Sequence, residues 1–154
     1  MADDPEILNR DRCKQIGRIC ACYNLRRAAR AITRLYDDFL RPSGLRTTQF
    51  SVLMTVRLLG PVALTKLAEL TVTERTTLTR NLRVLEKKGY IRIEPGKDAR
   101  ERQVSNTEKG QDTLMSAIPM WQAAQSHIEN GLGDERVGSL LKDLSEIVSL
   151  SRAK

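Results

Sequence analysis

The stretch TVTERTTLTRNLRVLEKKGYIRIEPG, residues 71–96, constrains the fold more than any other part of the chain. On a helical wheel at ~100° per residue, Leu78, Leu82 and Leu85 gather on one side. Thr76, Arg80, Arg83 and Lys87 lie opposite them, with Thr77 and Thr79 at the flanks. A helix divided this way anchors its leucines in a core and presents hydroxyls and guanidiniums to something outside. Thr73 is placed to cap its start, and Gly89 supplies the left-handed residue that ends it. Beyond Gly89 the pattern YIRIE alternates with period two, Pro95-Gly96 turns the chain, and QVSN is expected to return as a second strand.

The remaining segments read as helices around this unit. Residues 23–40 carry Leu25, Ala28, Ala29, Ile32, Leu35, Tyr36 and Phe39 at steps of three and four, so a helix is expected from near residue 12 to just before Pro42. Thr47–Leu59 forms a second helix, whose apolar set Phe50, Val52, Leu53, Val56, Leu58 and Leu59 is expected to be largely buried. Leu64–Leu70 makes a short helix, joined by a tight link to the one after Thr73. Thr107 opens a long helix to about Asn130, kinked at Pro119. Asp134 is placed to cap a last helix striped with Val137, Leu140, Leu141, Leu144, Ile147 and Val148. The expected class is mainly α with a small β-hairpin. Two helices, a tight turn and a basic hairpin describe a winged helix-turn-helix.

Charge sharpens the functional reading. The net charge of +7 is unevenly spread, because residues 103–154 hold five Lys/Arg against seven acids, so the whole excess lies before them. Such a chain favours a polyanion, most often nucleic acid. Aromatic residues are only 4% of the total, too few for base-stacking platforms to be the main route. Lys97, Arg100 and Arg102 cluster at the hairpin turn, where a wing can reach a minor groove or the backbone. Asp98 tempers that charge and can rigidify the loop. No apolar run approaches ~20 residues and the start lacks a secretory h-region, so a cytoplasmic protein is expected. A lone His127, no glycine-rich phosphate loop and no nucleophile–base set leave no basis for an enzyme.

The segment LTKLAELTVTERTTLTRNLRVLEKKGYIRIEPGKDARERQVSNTEKG, residues 64–110, resembles the DNA-binding core of the MarR family of bacterial regulators. TTLTRNLRVLEKKGYI, the D-x-R-x-R pattern at Asp98, Arg100 and Arg102, and the TEKG that follows carry the likeness. One departure is Asn106, where the family commonly has an apolar residue. The resemblance implies a single domain over 1–154, with dimerisation helices at 12–42 and 107–152 and a winged helix-turn-helix lobe at 45–106. It implies a homodimer on a pseudo-palindromic double-stranded operator, with half-sites ~34–36 Å apart. By position, Arg75, Thr76, Thr77, Thr79 and Arg80 would meet the major groove, with Arg83 on the same face. Lys97, Arg100 and Arg102 would meet the minor groove or backbone, Asp98 structuring the wing.

What switches such a regulator is less constrained. The resemblance implies a repressor released by a small, often aromatic, ligand, for which Tyr23, Arg26, Arg27, Phe50, Met120 and Trp121 are the candidate pocket residues. Cys13, Cys20 and Cys22 offer a thiol-redox alternative, against the simpler reading of reduced cysteines packed as small apolar groups. In an intact helix Cys13 and Cys20 lie ~10.5 Å apart along the axis, too far for a disulfide. The cysteines and His127 lack zinc spacing, so neither metal nor cofactor is expected. A rival from another class is a winged-helix adaptor that binds protein or RNA without operator specificity.

Overall fold

The computed structural model describes residues 9–98 and 101–152. In chain order the elements are α1 (Arg10–Ile19), α2 (Ala21–Leu40), a 3-10 turn (Arg41–Ser43), α3 (Thr47–Leu59), β1 (Val62–Ala63), α4 (Leu64–Leu70), α5 (Arg75–Lys87), β2 (Ile91–Pro95), β3 (Arg102–Asn106), α6 (Glu108–Leu132) and α7 (Asp134–Arg152). The chain divides after Leu35 into two compact units.

The first unit corrects the expected continuous N-terminal helix. Cys20, with ψ 106°, interrupts it between α1 and α2. Asn24 restores part of the lost bonding: its Nδ2 donates to the carbonyls of Gly17 at 3.0 Å and Cys20 at 2.9 Å. Tyr23 N–H donates to Cys20 Sγ at 3.4 Å. Neither Gly nor Pro marks this break at position 20, which is why helical periodicity ran through it.

The second unit holds the core. Its centre joins Leu53 and Val56 of α3, Leu67 of α4, Leu78, Leu82 and Leu85 of α5, Ile91 of β2, Val104 of β3 and Leu114 of α6. The sheet has the order β1-β3-β2, all antiparallel, so Val104 pairs with both Val62 and Ile93. Sequence periodicity missed β1, which has too few residues to show alternation and exists only through its pairing with β3. On α3 the expectation holds for Phe50, Val52, Leu53 and Val56 but not for Leu58, which is 82% exposed, or Leu59 at 48%. Those two lie past the last turn that faces the core, just before Gly60. Asn106 fits the fold through its amide: Nδ2 donates to the Leu53 carbonyl at 2.9 Å, which ties β3 to α3.

Two glycines make the joint between α5 and α6. Gly89, at φ +74°, closes α5 in a Schellman arrangement, with Tyr90 N–H donating to Leu85 O and Gly89 N–H to Glu86 O. Gly110 then sits so close to that cap that a Cβ on it would lie 1.9 Å from Tyr90 O. Thr107 caps α6 by accepting from Gly110 N–H, and its hydroxyl donates to Gly89 O at 2.6 Å. Lys109 donates to Lys88 O at 2.8 Å. The TEKG motif therefore seats the start of α6 on the end of α5.

Two expected caps are corrected. The N-cap of α5 is Glu74, with no side-chain bond, while the Thr73 hydroxyl donates to Thr71 O. Asp134 is the first residue of α7, following Gly133 at φ +87°. In the link between α4 and α5, Val72 adopts φ +48°, an unusual state for a β-branched residue.

Candidate nucleic-acid interface

The face of α5 is set by its anchor. Leu78, Leu82 and Leu85 are at most 1% exposed, which fixes the rotation of the helix about its axis. Arg75, Thr76, Arg80, Arg83 and Lys87 are consequently exposed, as the wheel predicts. Thr79 is half-buried and its hydroxyl donates to Arg75 O at 2.7 Å, leaving only acceptor capacity outward. Among the described residues no ion pair engages Arg75, Arg80 or Arg83. Arg75, Thr76, Thr79, Arg80 and Arg83 line a shallow concavity of about 380 Å³ on the outward side. The arrangement offers flat cationic forks and hydroxyls on a convex rod, suited to phosphates and to the two acceptors on a guanine edge.

Thr77 faces elsewhere. With Arg80 it lines a second cleft of about 580 Å³, closed on the far side by the first turns of α3. That α3 terminus is organised from α2: the Asp37 carboxylate accepts from Thr47 N–H at 2.7 Å and from Arg46 Nη1 at 3.3 Å. Asn81 Nδ2 reaches Thr48 O at 3.4 Å across the base of the cleft. Sequence reading missed this cleft because its walls are some thirty residues apart along the chain.

On the wing, Lys97, Asp98 and Arg102 are exposed, and Arg102 stands in register with Pro95 at the base of the hairpin. The turn is held by Gly96 N–H donating to Glu101 O and Glu101 N–H to Asp98 O, both at 2.9 Å. Arg100 lies outside the described residues.

The expected ligand-pocket residues do not gather in the cleft. Phe50 is buried and stacks on Trp121 with centroids 6.3 Å apart, and Met120 packs against the same core. Tyr23, Arg26 and Arg27 are exposed on α2 in the first unit. The cysteines are not packed as small core residues: Cys13 and Cys22 are exposed, Cys20 half-buried, and all are free thiols. His127 is exposed, its ring 5.9 Å from that of Phe39.

Known proteins share this arrangement. The MarR family profile matches residues 45–101, from just before α3 to the hairpin turn that follows β2. The chain is 31% identical to the HTH-type transcriptional regulator SarZ of Staphylococcus epidermidis over 83% of this chain and 86% of SarZ. It superposes on the Mycobacterium tuberculosis transcriptional regulator MosR, solved in complex with DNA, with a TM-score of 0.79 and 40% identity over 87% of this chain and 97% of that one. A mutant of Escherichia coli MarR complexed with operator DNA shares the fold at a TM-score of 0.76, with 22% identity over 86% of this chain and 96% of that one.

Proposed function

The chain belongs to the MarR family of DNA-binding transcriptional regulators, and from that premise we propose that it binds a pseudo-palindromic operator as a homodimer and represses until a small effector releases it. The observation that carries the operator reading is the outward face of α5, where Arg75, Thr76, Arg80 and Arg83 stand opposite a fully buried leucine row. Arg80 reads a base edge, Arg75 and Arg83 hold phosphates, and the wing with Lys97, Arg100 and Arg102 lies along the adjacent minor groove, structured by Asp98. Residues 12–42 and 107–152 join the two copies, and 45–106 contact DNA. Support for the homodimer comes from α7, where Leu140, Leu141, Ile147 and Val148 are 36–55% exposed in the single chain. No described helix is long and apolar enough to cross a membrane, and a cytoplasmic site of action accords with binding DNA. Membership of a DNA-binding family displaces the protein or RNA adaptor reading.

Footprinting on the gene's own upstream region tests this, and a protected palindrome is expected. Arg80→Ala should weaken binding to that site by roughly 1–3 kcal/mol while leaving random duplex little changed. Equal losses on both duplexes would reduce Arg80 to a phosphate contact.

One observation favours a second switch, through thiols. Helix α1 stays intact from Cys13 to its C-cap at Cys20, so that pair keeps its helical separation, but the break at Cys20 carries Cys22 out of that helix, and Cys13 and Cys22 are exposed in the single chain. In this reading peroxide lowers operator affinity, and replacing Cys13, Cys20 and Cys22 together by Ser abolishes the response. A response that persists in the triple variant rejects it.

A further inference from the structure

Most of the excess charge of this chain lies outside the lobe that carries α5. Residues 9–35 hold eight Lys/Arg and one Asp, an excess of +7 that equals that of the whole chain, so the remainder, lobe included, is balanced. Half of these cations lie on α2 as Arg26, Arg27, Arg30 and Arg34, and all four are exposed. On a wheel at ~100° per residue they occupy an arc of about 100°, shared within the first unit by Tyr23, itself 52% exposed. Leu25, Ala28, Ile32 and Leu35 fall on the opposite side. Arg26–Arg30 and Arg30–Arg34 are like charges at i, i+4, a spacing that weakens a helix. Asp37 and Asp38, the acids that follow on α2, are held by Arg46 and Thr47 and by Arg41. No ion pair engages the four arginines among the described residues.

We propose that this arginine stripe is a second nucleic-acid surface, which holds the backbone of a further DNA duplex without regard to sequence. Two observations choose backbone over base edges. The rotation of α5 is locked by a fully buried leucine row, whereas none of the described residues of α2 in the first unit is buried, so the stripe has no comparable lock within the chain. The hydroxyl beside the stripe, on Thr33, already donates to Ala29 O at 2.7 Å. The four guanidiniums span ~12 Å of helix. Along that length a duplex carries roughly one charge every 1.7 Å, so phosphates lie within reach in any register. A lipid surface would want apolar side chains set among the cations, where Tyr23 stands alone, so duplex DNA is the favoured polyanion. The inference adds a surface to the DNA-binding lobe and requires no palindromic operator.

The test uses the full-length protein and a fluorescent random-sequence duplex over a range of chloride, because backbone contacts show themselves in salt dependence. Replacing Arg26, Arg27, Arg30 and Arg34 together by Gln keeps helix propensity. The variant should bind random duplex about tenfold more weakly at low salt, and its slope of log affinity on log salt should be flatter by about 3, since each phosphate contact contributes ~0.9. Arg30→Gln alone should flatten the slope by about 1. Wild-type protein saturated with operator should still capture random duplex. The quadruple variant should not, although it binds operator as before and sediments in the same oligomeric state. An unchanged slope would leave the stripe a solvated face, and a changed oligomeric state would make it a subunit contact. Tighter binding of the wild type to phosphatidylglycerol vesicles than to random duplex would assign it to lipid. Each of these three results overturns the proposal. If no palindrome is protected but the variant loses random-duplex binding, the operator reading falls and the stripe stands.

Discussion

The lobe from α3 to β3 and the terminal helix α7 use similar numbers of apolar residues to different ends. In the lobe most of the apolar stripe is buried within one chain: α5 covers three leucines and α3 covers Phe50, Val52, Leu53 and Val56, leaving Leu58 and Leu59 exposed at its end. Helix α7, with an apolar stripe of comparable length, buries only Val137. The first unit behaves likewise, with Ile16, Ile19, Tyr23 and Ile32 all more than 40% exposed. A stripe at helical spacing is therefore evidence of an interface without being evidence of which molecule supplies the other side. The lobe buries its core within a single chain, whereas α7 leaves most of its stripe open, the surface that the proposed homodimer would cover.

Substitutions on each side separate these cases. Leu82→Ala should destabilise the lobe by about 3 kcal/mol, since Leu82 is fully buried among other leucines, and thermal unfolding would read the loss. Leu141→Glu should leave the lobe's unfolding largely intact and instead shift sedimentation toward monomer, weakening self-association by about 2 kcal/mol. If Leu141→Glu unfolds the lobe as severely as Leu82→Ala, the contrast between the regions fails. Within the lobe, Val72→Gly relieves a left-handed residue and should raise stability by about 1 kcal/mol in denaturant titration. A loss there would mean that the Val72 side chain contributes more than its backbone costs.

The smallest effect concerns Tyr36, whose hydroxyl donates to Gln125 Oε1 at 2.7 Å. Burial, with the nearby Glu129 carboxylate, raises its pKa above the ordinary 10.0. A pKa raised on folding favours the protonated phenol in the native state. The associated stability is therefore present below pH 10 and is lost as pH climbs through the folded value. Tyr36→Phe should flatten that alkaline decline and cost no more than about 1 kcal/mol at neutral pH, for the lost bond to Gln125.

Most local signals in the sequence were legible, the caps expected at Thr73 and Asp134 excepted, and distant ones were not. The rotation of α5, the glycine that ends it, the hairpin and the Thr107 cap each depend on residues within one or two turns, and each was readable. The break at Cys20 carries no Gly or Pro, β1 exists only through its pairing with β3, and Val72 takes its conformation from the two helices it joins. Asn106 looked out of place until Leu53, fifty-three residues away, supplied its acceptor. At the candidate site, the outward arginines were visible because one helix presents them all. The cleft behind them was hidden because α3 and α5 must first pack to create it.

The seat of α6 on α5 limits where this molecule can bend. With Gly110 pressed on Tyr90 O and Thr107 latched to Gly89, the end of α5 and the first turn of α6 move as one piece. In the proposed homodimer, any change in the span between the two copies of α5 would be taken up further along α6. The natural pivot is Pro119, which removes the amide that would otherwise have braced the Met115 carbonyl. Stiffness at one end of that lever thus assigns its compliance to the middle.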